Sequence, residues 1–224
     1  MTGDLNWALL GLLFGLLHSF DADHLAAVGM MASDTRRPWD ALRVGWAWAL
    51  GHFFSVAALG LGVVSLGIGL TPWLQSGLET TAGVFLLGMG LWRLAGLRKS
   101  PGDSRGSSPA TGALSPQIPS YAPVIPWGKT VGMGLLHGLA GTAGVLALAP
   151  ALAISSAVMY VAYLGLFGLG TALSMGLFAL TSRSAQAPTE RWSTGERWNA
   201  RLKGTWGLVS VVVGIRFVAM GLGA

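Results

Sequence analysis

The stretch Gly11–Met31, GLLFGLLHSFDADHLAAVGMM, constrains this chain more than any other. At about 1.5 Å per helical residue it is long enough to cross a hydrocarbon layer of about 30 Å. Yet its middle carries His18, Asp21, Asp23 and His24. Ionisable side chains at that depth cost a few kcal/mol each, even on lenient insertion scales. Four of them persist together only if something bound there, or moving past, offsets the cost. Two imidazoles and two carboxylates suit a divalent first-row metal ion, imidazole favouring the nickel, cobalt and zinc end of the series.

Composition sets the surroundings of this stretch. Of 224 residues, 52% are hydrophobic and only 10% charged, which places the chain among polytopic helical membrane proteins. Its net charge of +5 does not indicate nucleic acid, because basic residues of membrane proteins mark cytoplasmic loops. The absence of cysteine excludes a thiol relay, Fe–S clusters and thiolate zinc sites. No Gly-rich Lys-Ser/Thr phosphate loop occurs, so the chain is not expected to hydrolyse ATP. The N-terminus lacks the basic region and cleavage site of a signal peptide, so the first apolar segment is expected to stay in the protein.

Hydropathy predicts six spans: Leu5–Met31, Val44–Leu70, Leu74–Leu91, Thr130–Pro150, Ala151–Leu180 and Leu202–Leu222. The Ser-, Gly- and Pro-rich segment 98–127 reads as a cytoplasmic linker between membrane units 1–97 and 128–224. With six spans, 13 of the 14 Lys and Arg residues fall in loops on one face, and only Arg216 lies within a span. The positive-inside rule then makes that face cytoplasmic and both termini external, in a cytoplasmic membrane.

The chain also repeats itself. A shift of 119 residues lays Gly15-Leu16-Leu17-His18 on Gly134-Leu135-Leu136-His137, and Leu50-Gly51 on Leu169-Gly170. A shift of 124 relates Leu78, Thr81, Gly83 and Gly90 to Leu202, Thr205, Gly207 and Gly214. The fold expected is therefore all-α and polytopic, with six transmembrane helices as two inverted three-helix repeats. In that plan a substrate site lies near the midplane, between the halves.

All four histidines, His18, His24, His52 and His137, fall within predicted spans. On an ideal helix His18, Asp21 and His24 share about 120° of arc while Asp23 points away. Either the helix is irregular near Ser19–Ala22, or it is regular and Asp23 faces a second-helix group such as His52. His52 follows Gly51, where a missing side chain lets another helix approach. His137 alone is as readily a helix-packing hydrogen bonder as a ligand. Glu79, near the outer end of its helix, is expected to face headgroups, and Asp34 and Asp40 to be solvated partners of nearby arginines. Met30 and Met31 are expected to pack rather than to bind Cu(I). Trp39, Trp46, Trp73, Trp127 and Trp198 are among the expected interfacial anchors.

The motif His18, four residues, Asp23-His24 resembles the signature of the nickel/cobalt transporter family, and HSFDADHLAAV fits it almost letter for letter. The smaller relatives known as urease accessory membrane proteins are more similar in length. Arg43–Val56, RVGWAWALGHFFSV, resembles that family's second motif, and Gly134–Gly141, GLLHGLAG, extends the likeness. Two departures stand out. Gly29-Met30 replaces the polar pair that often follows the signature, and the central loop has no histidine. The resemblance implies a non-enzymatic transporter of Ni²⁺ or Co²⁺, the ion being cargo rather than a permanent cofactor. It further implies import that serves metal-delivery or nickel-enzyme maturation proteins. The metal residues it implies are His18, Asp23 and His24, joined by His52, with Asp21 and His137 as partners. Physics alone also permits metal efflux, an intramembrane enzyme holding a fixed metal or haem, or an accessory subunit that delivers metal.

Overall fold

The computed structural model describes residues 2–65, 71–98, 126–140, 144, 148, 150, 153–154, 156–186 and 195–223. Residues 99–125, nearly all of the expected linker, lie outside the described residues. Seven α-helices occur among them: α1 (Thr2–His18), α2 (Ala22–Ala32), α3 (Pro38–Ser65), α4 (Pro72–Arg98), α5 (Trp127–Leu139), α6 (Ala157–Gln186) and α7 (Gly195–Gly221). No strand appears among the described residues.

This overturns the expected six spans in two inverted three-helix repeats. Only four described helices are long and apolar enough to cross a membrane, within Pro38–Gly62, Pro72–Leu97, Ala157–Gln186 and Ala200–Gly221. The physical reason lies in the polar motifs. The first apolar segment is broken between His18 and Ala22 into helices of 17 and 11 residues, about 26 and 17 Å long. The fourth, α5, ends at Leu139 after 13 residues, or about 20 Å. The four long helices make this a multi-pass membrane protein. Its outer surface suits lipid, with Leu13, Phe54, Val84, Val161, Leu177 and Val212 about half exposed or more.

Helices from either side of segment 99–125 interleave. The main pairs are α1 with α6, α3 with α5 and α6, and α4 with α7, while α2 reaches α3, α6 and α7. Close approach depends on glycine. A Cβ on Gly15 would collide with the Phe167 backbone, and one on Gly134 with that of Trp48. These two contacts are related by the same 119-residue shift seen in the sequence, which thus describes helix pairs without restoring the six-span count. Hydroxyls tie the pairs where the backbones come close. Ser55 donates to Leu135 O at 2.7 Å, Ser210 to Leu86 O at 2.9 Å and Ser174 to Leu16 O at 3.3 Å. Met30 and Met31 are buried, and Met31 packs with Val28, Val44 and Met175 in the main apolar core, as expected.

The turn after α2 is clasped by basic residues from three helices. Asp34 pairs with Arg93 of α4 and, at 3.2 Å, with Lys203 of α7. Arg183 of α6, itself buried, donates from Nε to Thr35 O at 2.7 Å and from Nη2 to Arg36 O at 2.6 Å. Asp34 is therefore a bridging partner between helices rather than a solvated one.

Candidate metal centre

The break that costs α1 its length also builds the site. Ser19 and Asp21 are residues whose side chains compete with helical hydrogen bonding, and Asp is favoured where a helix starts. The Ser19 hydroxyl donates back to Gly15 O at 2.9 Å, and the chain turns through Phe20. Asp21 then takes the extended backbone of an N-cap, with φ −60° and ψ 141°. Its carboxylate makes no capping bond. Instead the His18 ring donates from Nδ1 to Asp21 Oδ2 at 3.0 Å. Asp23 follows in the first turn of α2, where the helix dipole favours a negative charge.

Of the alternatives left open by the sequence, the irregular helix is the one found. Through it Asp23 faces the interior beside the histidines. His24 Nδ1 donates to Asp23 Oδ1 at 2.9 Å, and His137 Nε2, from α5, donates to Asp23 Oδ2 at 3.0 Å. The His18–Asp21 and His24–Asp23 pairs have the same consequence. With its Nδ1 proton held by a carboxylate, the imidazole turns a bare Nε2 lone pair the other way. His18 Nε2 and His24 Nε2 both point at His52 Nε2, at 3.1 and 3.3 Å.

These spacings fit a metal ion. Nitrogen ligands about 2.0–2.1 Å from a tetrahedral ion stand roughly 3.3 Å apart. Two trios have ligand atoms lying within 4.8 Å of one another: His18, His24, His52 and Asp23, His24, His137. All five of these residues are buried, and His137 is fully so. The environment is buried and aromatic. Trp48 stacks against His52 with ring centroids 5.0 Å apart and planes 6° apart, and also meets His24 and His137. Phe167 stacks on His18 at 5.6 Å.

The structure thus gathers all six sequence-selected residues, His18, Asp21, Asp23, His24, His52 and His137, into one cluster. It also adds Trp48, which had no assigned role. The signal for it was present, since Trp48 lies one helical turn before His52 and so shares its face. Glu79 belongs to neither trio, and the expectation that it faces headgroups is corrected. It is buried, and Gln75 Nε2 donates to its Oε1 at 3.1 Å.

Among curated proteins, the chain is similar to the urease accessory protein UreH of Bacillus sp. (strain TB-90). The two are 26% identical over 167 residues, 74% of this chain and 71% of that protein. No protein-family model matches the chain. No solved structure matches it either.

Proposed function

We propose that this protein carries a divalent transition-metal ion, Ni²⁺ or Co²⁺, inward across the cytoplasmic membrane. One observation carries the proposal: three Nε2 atoms converge inside a membrane-embedded helical bundle, and two of the rings are oriented from behind by carboxylates. The donor set, imidazole with carboxylate and no thiolate, is the one that late first-row divalent ions accept. The signature His18–His24 and the similarity to a urease accessory protein both favour nickel handling.

The basic residues gathered at the turn after α2, Arg93, Arg183 and Lys203 with Arg36 and Arg37, make that turn cytoplasmic, and α7 then crosses to an external C-terminus. The break between α1 and α2 then lies within the membrane, and Asp21, with its side chain 43% exposed, is the accessible edge of the cluster. Membrane potential supplies the driving force. Two charges moving down 100 mV gain roughly 4.6 kcal/mol, about three decades of accumulation. Metal-delivery or nickel-enzyme maturation proteins would receive the ion at the basic cytoplasmic face.

The test is radiolabelled nickel and cobalt uptake by proteoliposomes containing this chain alone, with an imposed inside-negative potential. Accumulation that collapses with the potential is expected. Tight binding without translocation would contradict transport and favour a fixed cofactor, and outward movement against a proton gradient would favour efflux.

A further inference from the structure

Within the cluster His24 has a position that no other residue shares. Its Nε2 faces His52 and closes the all-imidazole trio, while its Nδ1 faces Asp23 and closes the trio with His137. We propose that the cluster offers the metal ion two adjoining positions that share His24, and that a single ion passes between them. The inference rests on the metal-carrying reading and specifies how that site works.

The sharing follows from the chemistry of imidazole. Its two ring nitrogens point in different directions, and the neutral ring has a lone pair on one of them while the other carries the proton. His24 therefore serves one trio at a time, and occupancy alternates rather than adds. The trios also differ in kind. His18, His24 and His52 supply three neutral nitrogens. Asp23, His24 and His137 bring the carboxylate directly to the ion, placing a full negative charge against a dication in a buried interior.

Accessibility orders the two positions. Asp21, hydrogen-bonded to His18, has a side chain 43% exposed, so the His18 trio adjoins the open edge. His137 is fully buried, with Trp48 at 5.2 Å and Phe85 at 5.8 Å between ring centroids. Its trio is the sealed one. A carrier must hold its ion selectively and still release it, and neighbouring weaker positions meet both needs better than one deep well. His137 is more than a convenient donor to Asp23. Its Nδ1 is buried without a hydrogen-bond partner, and a serine hydroxyl could donate to Asp23 without adding a second polar atom to be satisfied.

The experiment uses the full chain in lipid nanodiscs, titrated with Co²⁺ and followed by visible absorption, whose bands report the number of nitrogen and oxygen ligands. Wild type is expected to bind one Co²⁺ per chain with a spectrum containing both environments. His137→Gln should leave only the nitrogen-rich component, and His18→Gln only the oxygen-containing one, each with affinity weakened roughly 10–100-fold. His52→Gln removes the same trio as His18→Gln from a different helix, so a misfolded His18 variant does not decide the matter. His24→Ala should remove both components. A wild-type spectrum and affinity in His137→Gln would overturn the proposal, leaving Asp23 and His137 to orient His24 from behind. Identical spectra in the His18 and His137 variants would overturn it too, as would two Co²⁺ per wild-type chain. A wild-type chain that binds no Co²⁺ would overturn the metal-carrying reading itself, a separate and recognisable result.

Discussion

Two aspartates perform the same service for two histidines, but in different surroundings, and this predicts unequal consequences for the same substitution. Asp21 accepts one hydrogen bond from His18, and its side chain is 43% exposed. Asp23 accepts one from His24 and one from His137, and its side chain is 4% exposed. In Asp21→Asn, water can replace what the carboxylate supplied. The loss should be about 1 kcal/mol, the worth of an ordinary hydrogen bond, or roughly fivefold in metal affinity. Asp23→Asn removes a charge that water cannot replace and weakens two charge-assisted bonds worth about 1.5–3 kcal/mol each. Some of that is recovered because the amide oxygen still accepts one bond. A net loss of about 3–4 kcal/mol, roughly 10²–10³-fold in affinity, is expected. Isothermal titration of purified protein with Ni²⁺, at fixed pH and ionic strength, measures both. Equal effects, or a larger loss in Asp21→Asn, would refute the claim that burial and the second hydrogen bond make Asp23 dominant.

Other expectations concern the scaffold. Gly134→Leu should destabilise the protein by about 1–3 kcal/mol or more, because its side chain meets the Trp48 and His52 backbones, whereas Gly88→Leu, with open space around it, should be near neutral in thermal denaturation in detergent. Arg183→Ala strips two charge-assisted bonds from the turn after α2 and should cost about 3 kcal/mol, while Asp34→Asn, partly exposed, should cost about 1 kcal/mol. The same thermal assay compares them, and a larger effect in Asp34→Asn would contradict the ranking. Deleting Gly102–Pro116 should leave nickel uptake nearly intact, because a shorter connection closes at little entropic cost. A reporter fused after Ala224 should be active only outside the cytoplasm, and activity inside would reverse the orientation.

The site was more legible in the sequence than the fold. Ionisable residues inside an apolar run stand out because burying them is costly, so His18, Asp21, Asp23 and His24 could be picked out without knowing their geometry. Joining His52 and His137 to them took the family resemblance as well as their predicted depth, and His137 by itself read as readily as a packing residue. The span count failed for a related reason. Hydropathy averages over about 19 residues and passes across a three-residue break, so it joined α1 to α2 into one span. Helical phase gave a hint, since Asp23 on an unbroken helix would point away from His18 and His24. Nothing in the sequence decided between breaking the helix and turning Asp23 toward another one. Trp48 was given no role, neither as an anchor nor at the site, because its sequence position one turn before His52 was not followed up. Trp39 and Trp73, 67% and 80% exposed, do sit at the surface, while Trp48 is fully buried among the histidines. Glu79 was misread for the converse reason, its burial depending on packing that a sequence position near a helix end does not reveal.

On the proposed function, buried imidazoles hold the transported ion. X-ray absorption at the nickel edge, on nickel-loaded protein in nanodiscs, tests it most directly, because imidazole rings leave a characteristic outer-shell scattering pattern. Two or three imidazoles per nickel are expected in the wild type, with loss of the bound nickel in His24→Ala. A nickel ion surrounded only by oxygen, or an unchanged imidazole signature in His24→Ala, would contradict it.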